Sequence, residues 1–261
     1  MSSAAGATNL RVRRSARFAA WVRAWRAGLV PHDDAAAEIA GGEEHMVADV
    51  PGTWTDVTLA EGIPVLAKLH PDEVRLVLPA PGDPRGLPGP GPFATAALGA
   101  GEGVLAGRVG IVPEVRSHTS GSGMTFETVL WRMYSVPEEP RYRAEEPTAA
   151  EAETELSTAL AQATRELSQL DVAQWRPELA GELTALRRAH GNTDLPPGYD
   201  PRARRLYARA NVLDRVLALA EYVAPGGAIT ANDARERDAA LRPLLAACRR
   251  ALVAACNAPL L

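Results

Sequence analysis

The chain is short of cysteine, lysine, aromatic residues and long apolar runs, and the first and last of these shortages each remove a class of protein. Its two cysteines, Cys248 and Cys256, sit eight residues apart in one stretch of helical period. A rise of 1.5 Å per residue separates their Cα atoms by roughly 12 Å, beyond disulfide reach. With no redox or metal spacing, they read as small buried apolar side chains of a reducing cytosol. No run of about 18 apolar residues occurs, which excludes a transmembrane helix. The segment 18–27 is interrupted by Arg23 and Arg26, so it lacks the unbroken apolar core of a secretory signal. The expected location is the cytoplasm. Lysine is reduced to Lys68, against 27 arginines; with abundant alanine, this is the mark of a G+C-rich genome and lowers the functional weight of any single arginine.

What is present is a globular composition. Apolar residues make up 46% of the chain and charged residues 23%, enough to bury a sizeable core. A length of 261 residues allows one or two domains. The net charge of −4 argues against a protein that coats nucleic acid. Charge is unevenly spread, however. Arg11, Arg13, Arg14, Arg17, Arg23 and Arg26 precede any acid, whereas Glu138, Glu139, Glu145, Glu146, Glu151, Glu153 and Glu155 form an acidic run. The acidic, proline-containing stretch 138–147 is the natural linker between a mixed α/β part, 1–137, and an all-helical bundle of about four helices, 148–261.

Within the first part, Phe18, Trp21, Val22 and Trp25 recur at helical spacing and predict an amphipathic helix with its arginines outside. A second helix should run to Ile39 and close at Gly41–Gly42. Strands are expected at Met46–Val50, Val74–Leu78, Val104–Ile111 and Thr125–Val136, and helices at Thr58–Leu69 and Phe93–Ala100, with Gly62 and Pro64 weakening the first of these. In the second part, helical period places helices near Thr148–Leu170, Arg176–His190, Pro201–Val223 and Asn232–Asn257. The fold class is α+β: a small mixed sheet covered by helices, then helices alone.

The most unusual stretch is Leu78–Phe93, LPAPGDPRGLPGPGPF, in which prolines stiffen the backbone and glycines permit close approach. It follows a buried strand, and open α/β sheets often bind ligands beyond strand ends. Asp83 and Arg85 are its polar candidates; a plain connecting loop is the simpler account. It is not a phosphate-binding P-loop, because the one lysine lies elsewhere. Gly101–Ala106 matches a dinucleotide-binding string but leads from helix to strand, the reverse of the required order. Ser120–Gly123 lacks the first glycine of a nucleophile elbow. Glu43, Glu44 and His45 read as a surface cluster rather than metal ligands. Arg202, Arg205 and Arg209 share one helix face and could receive an anion or an acidic partner, although a solvated charge stripe is the plainer reading. No cofactor and no metal site is expected.

The run LPAPGDPRGLPGP, the downstream FATAALGAGEGVL, the start RFAAWVRAW and the ending ALRPLLAACRRALVAACNA together resemble a family of uncharacterised proteins from actinobacteria. The resemblance spans nearly the whole chain and implies a bacterial cytosolic setting, with the loop as a family feature; it brings no activity, cofactor or catalytic residue. No catalytic motif stands in a valid context, so the primary expectation is a non-catalytic interaction or regulatory protein with a protein partner. The alternative is an enzyme or small-molecule binder, its pocket lying between loop 79–92 and Ser117–Gly123 with Glu102, Glu114, His118 and Glu127 as polar groups. A weaker alternative is nucleic-acid binding through the N-terminal arginines.

Overall fold

A computed structural model describes residues 13–121, 123, 125–137, 146–169, 195–223 and 231–261. The chain forms two units: one comprises Arg13–Glu145 with Leu195–Tyr199 and Pro259–Leu261, the other Met1–Val12, Glu146–Asp194 and Asp200–Ala258.

The first unit is built on a six-stranded mixed sheet in the order β2-β1-β6-β5-β4-β3. Its strands are β1 (Glu44–Ala48), β2 (Val57–Thr58), β3 (Val74–Val77), β4 (Gly103–Ala106), β5 (Val109–Thr119) and β6 (Thr125–Ser135). Only β1 and β6 run parallel; the remaining pairs are antiparallel. Alternate residues of a strand face opposite sides, and here both sides find cover. Helix α1 (Arg14–Arg26) lies on one face, where the ring of Phe18 packs, tilted, against the buried Trp131 of β6 with centroids 4.7 Å apart. Helix α4 (Pro92–Ala100) lies on the other, with Phe93 and Ala97 packed among Val77, Leu105, Val112 and Val136. Two shorter helices, α2 (His32–Ala40) and α3 (Leu59–Gly62), complete the layer.

Several expectations are corrected here. The strand expected over Val104–Ile111 is two strands, β4 and β5, reversed at Gly107, whose φ of +59° suits glycine. Its residues read as one strand because the turn takes only two residues, Gly107 and Arg108. The helix expected over Thr58–Leu69 is one α-turn with a Thr58–Glu61 capping box, followed by the 3-10 turn Ile63–Leu66; Pro64 has no N–H to continue it. Strand β5 runs on to Thr119, well past Ile111, where the expected strand ends. The arginines of α1 are not all outside: Arg14 and Arg23 are buried.

In the second unit the described residues form α5 (Ala149–Gln169), α6 (Pro201–Val223) and α7 (Ala231–Cys256), packed on one another. The cap of α5 is legible as Thr-x-x-Glu: Thr148 N donates to Glu151 Oε2 at 2.8 Å, and Glu151 N to Thr148 Oγ1 at 3.3 Å. Asp200 caps α6, accepting from the amides of Arg202 and Ala203. Leu156 of α5, Leu206 and Ala210 of α6 and Leu244, Cys248, Leu252 and Cys256 of α7 are buried, and both cysteines are free thiols. The helix expected over Arg176–His190 falls outside the described residues. Among the described residues no helix is long and apolar enough to cross a membrane.

Candidate functional site

The outer half of the β5–β6 hairpin stands apart from the rest of the sheet, and a buried relay of polar groups fixes its base. Strand register places Glu127, Val129 and Trp131 of β6, with His45 of β1 beside Val129, on the face turned to α1. There Arg14 donates through Nε and Nη2 to the two oxygens of Glu43, at 2.9 and 2.7 Å, and through Nη2 to Glu127 at 2.7 Å. Trp131 Nε1 donates to His45 Nδ1 at 3.1 Å, so the proton of the neutral imidazole sits on Nε2 and points at Glu43 Oε2, 3.2 Å away. Far from forming a surface cluster, then, His45 is buried and Glu43 largely so, while Glu44 alone is exposed. Burial by itself would push the Glu43 carboxyl up; the hydrogen bonds from His45 and Arg14, with the Arg14 charge, outweigh it and hold the group down at about 2. Among the described residues no group of three or more His, Cys, Asp or Glu side chains is placed to hold a metal ion.

Glu102 follows the opposite course. It is buried, accepts from the Ser15 amide at 2.8 Å, and is raised by burial against the pull of Arg13, the Ser15 hydrogen bonds and Arg14. This carboxyl meets the first turn of α1, where unpaired amides favour an acceptor.

Beyond the relay the hairpin opens to solvent on both faces. Every residue from Glu114 to Thr119 is exposed, as are Thr125 and Phe126. Val115 and Phe126 remain 41% and 51% exposed, large values for apolar side chains. His118 stacks on Phe126 at 5.2 Å and meets Thr128 Oγ1 at 2.9 Å. On the same face an ion-pair chain links Arg116, Glu114, Arg132 and Asp49 at 3.0, 3.1 and 2.8 Å. Hydrogen bonds from Arg116 and then Arg132 hold the Glu114 carboxyl below its ordinary range.

The four groups suggested for a small-molecule pocket are not brought together. Glu114 and His118 lie on the open face; Glu127 lies on the opposite one, tied to Arg14, and Glu102 is engaged by Ser15. In the proline-rich loop, Asp83 and Arg85 pair with each other at 2.7 Å, with Arg85 well exposed, and Ala80 and Asp83 close a tight turn around Gly82. On α6, Arg202 faces Glu153 at 3.5 Å and Arg209 donates to Ser157 Oγ at 3.1 Å, both partners on α5; Arg205 is exposed. Three further N-terminal arginines are, like Arg14, engaged within the protein. Arg13 donates to Gly101 O, Arg23 to Val74 O and Asp72, and Arg26 to Leu69 O. Trp21 and Trp25 are half-buried. The relay escaped sequence reasoning because its members are separated by up to 113 positions.

Residues 15–147 match the family described as Rv1486c-like protein, N-terminal domain, and residues 150–253 its C-terminal domain. The protein Rv1486c of Mycobacterium tuberculosis strain H37Rv is 30% identical over 282 aligned positions, which cover 94% of this chain and 96% of the relative. MT1533 of M. tuberculosis strain CDC 1551 gives the same identity and coverage. ML1804 of Mycobacterium leprae is 28% identical over 207 positions, 71% of this chain and 67% of the relative. The names of all three relatives call them uncharacterized and assign no activity. No solved structure matches.

Proposed function

The chain belongs to the Rv1486c-like family, and we propose that it is a non-catalytic cytoplasmic interaction or regulatory protein that meets its protein partner through the outer half of the β5–β6 hairpin. One observation carries the reading: Glu114–Thr119 are exposed along their whole length, together with Val115 and Phe126 as apolar side chains. A two-stranded ribbon without a covered face gains little from burial, and this one presents an apolar side chain to solvent on each face, Val115 on one and Phe126 on the other. The relay beneath supports the same reading, since Arg14 ties Glu127 to Glu43 and so holds the ribbon's base in place.

The test is site-specific photo-crosslinking in the native cytosol. A benzophenone side chain placed at position 118 should give one discrete adduct, and the same group at the exposed Glu38 of α2 should give none. The double change Val115→Ser and Phe126→Ser should remove the adduct at 118 without loss of the folded circular dichroism spectrum. Equal labelling at 118 and 38, or an adduct indifferent to the double change, would count against the ribbon.

A further inference from the structure

Trp54 stands in the loop that joins β1 to β2, and its side chain is fully exposed. Apart from Leu261 at the end of the chain, no other large apolar side chain among the described residues is more than 51% exposed. Single apolar residues are ordinary on a protein surface; what sets this one apart is that the backbone beneath it is fixed. Asp49 leaves β1 at a φ of +60°, the one positive value outside glycine among the described residues. That conformation is unfavourable for an L-residue, and here the Asp49 carboxylate accepts from Arg132 Nη1 at 2.8 Å. Val50 is buried, and its carbonyl accepts from both the amide and the hydroxyl of Thr53, at 3.1 and 2.9 Å. Pro51, between them, has little freedom of its own. The turn therefore sets the point at which the indole leaves the surface, with its ring faces in solvent.

The charge around this loop has one sign. Residues 27–67 hold eight acids and no arginine or lysine, and they supply α2, β1, β2 and α3, with α3 packed on the other three. Arg14 takes up Glu43 and Arg132 takes up Asp49. Asp34, Glu38, Glu44 and Asp56 are exposed and have no ion-pair partner among the described residues. A surface of this kind repels nucleic acid and anionic lipid and draws cations towards it.

We infer that Trp54 is a docking point for an arginine-rich segment of a partner protein, with a guanidinium lying on the indole and the carboxylates of this corner attracting the neighbouring charges. Tryptophan is the best aromatic partner for a cation. A guanidinium is planar and weakly hydrated, so it stacks on a ring where an ammonium keeps its water. Asp56, two positions along from the indole, supplies the nearest carboxylate in sequence that no arginine already holds. This surface does not rest on the reading of the β5–β6 hairpin: β1 runs parallel to β6 from Glu44 beside Thr128 to Ala48 beside Arg132, so the hairpin's tip and the Trp54 loop lie off opposite ends of β1.

The experiment uses the full chain and a dye-labelled peptide of alternating arginine and glycine, with binding read by fluorescence anisotropy at low salt. The unaltered protein should bind the peptide, and binding should shield Trp54 from acrylamide, read as the difference in quenching between the unaltered chain and Trp54→Phe. Trp54→Ala should weaken binding about fivefold or more, and Asp56→Asn should weaken it too. The paired change Glu138→Gln and Glu139→Gln, which removes the same kind of charge from a different part of the chain, should not. A lysine peptide of equal length should bind more weakly. Circular dichroism establishes that each substitution leaves the fold intact. Val115→Ser with Phe126→Ser should leave peptide binding unchanged, and the adduct at position 118 is read without the peptide, so the two surfaces can fail separately. Binding indifferent to Trp54→Ala, or reduced as much by the changes at 138 and 139 as by Asp56→Asn, would overturn the docking point, as would a lysine peptide held as tightly as the arginine one. Shielding of Trp54 by phosphatidylglycerol vesicles and not by the peptide would overturn the protein partner in favour of a membrane.

Discussion

Two carboxylates beside the start of α1, Glu43 and Glu102, are moved by their surroundings in opposite directions. Glu43 is held at about 2, against an ordinary value of 4.5. Its contribution to stability is therefore complete above pH 4.5 and is lost as the pH falls from there towards 2. A shift of this size corresponds to an upper value on the order of 2–3 kcal/mol once partial exposure is allowed for. Glu102 is raised by burial, so its contribution is complete below the ordinary carboxyl range and is lost as the pH climbs through its folded value. Urea denaturation followed from pH 2 to pH 8 separates the two. Glu43→Gln should lower stability at neutral pH and flatten the acid limb; Glu102→Gln should leave the acid limb alone and flatten the decline on the neutral side. An acid limb unchanged by Glu43→Gln would mean that the Arg14 relay does not stabilise the fold. None of this was legible in the sequence. A glutamate looks the same in sequence whether it meets Arg14 or water, and Glu43 and Glu127 reach that arginine from 29 and 113 positions along the chain.

At the scale of elements, legibility followed periodicity. The long helices α6 and α7 stand where their apolar repeats place them, because burial of one stripe determines both the helix and its phase. The turn at Gly107 and the outer half of β5 were hidden for contrary reasons. The turn breaks the strand pattern with only two residues, Gly107 and Arg108, and the outer half of β5 has no buried face to impose an alternating pattern. Glycine also decides how closely α4 approaches the sheet. A Cβ on Gly110 would lie 2.2 Å from Phe93 Cδ2, so the ring of α4 rests on bare backbone. Gly110→Ala should cost about 1–3 kcal/mol through overpacking, read as a lowered urea midpoint. Adding Phe93→Leu should make the alanine cheaper than it is beside phenylalanine, a coupling that a double-mutant cycle measures directly. Additive costs would place the strain in the backbone of β5 rather than against α4.

For the molecule as a whole, composition foretold a sheet-bearing part followed by a helical part, but not which stretches of chain complete the first unit. Its sheet and helices come from the N-terminal half, yet Leu195–Tyr199 and Pro259–Leu261 belong to it too. The two segments bind each other through a bridge between Tyr199 and Leu260 and a 2.8 Å hydrogen bond from Leu261 N to Gly198 O. Leu195 and Tyr199 are buried. Gly198 has a φ of +95°, and a Cβ there would fall 2.2 Å from Leu29 Cδ1, so this backbone lies directly against the chain that leaves α1. Two buried side chains of this kind are each worth about 1.5–3 kcal/mol, enough to matter against a total of roughly 5–15 kcal/mol. A chain cut to residues 13–147 keeps every strand but loses both segments. It should fold with a midpoint several degrees below that of the same unit in the full chain and bind more of a dye specific for exposed apolar surface, and Gly198→Ala in the full chain should reproduce part of that loss. If the cut chain melts where the full-length unit does, the two segments are passengers on a sheet that is stable without them; if it melts lower, the linear order of the sequence conceals a unit assembled from three separate stretches.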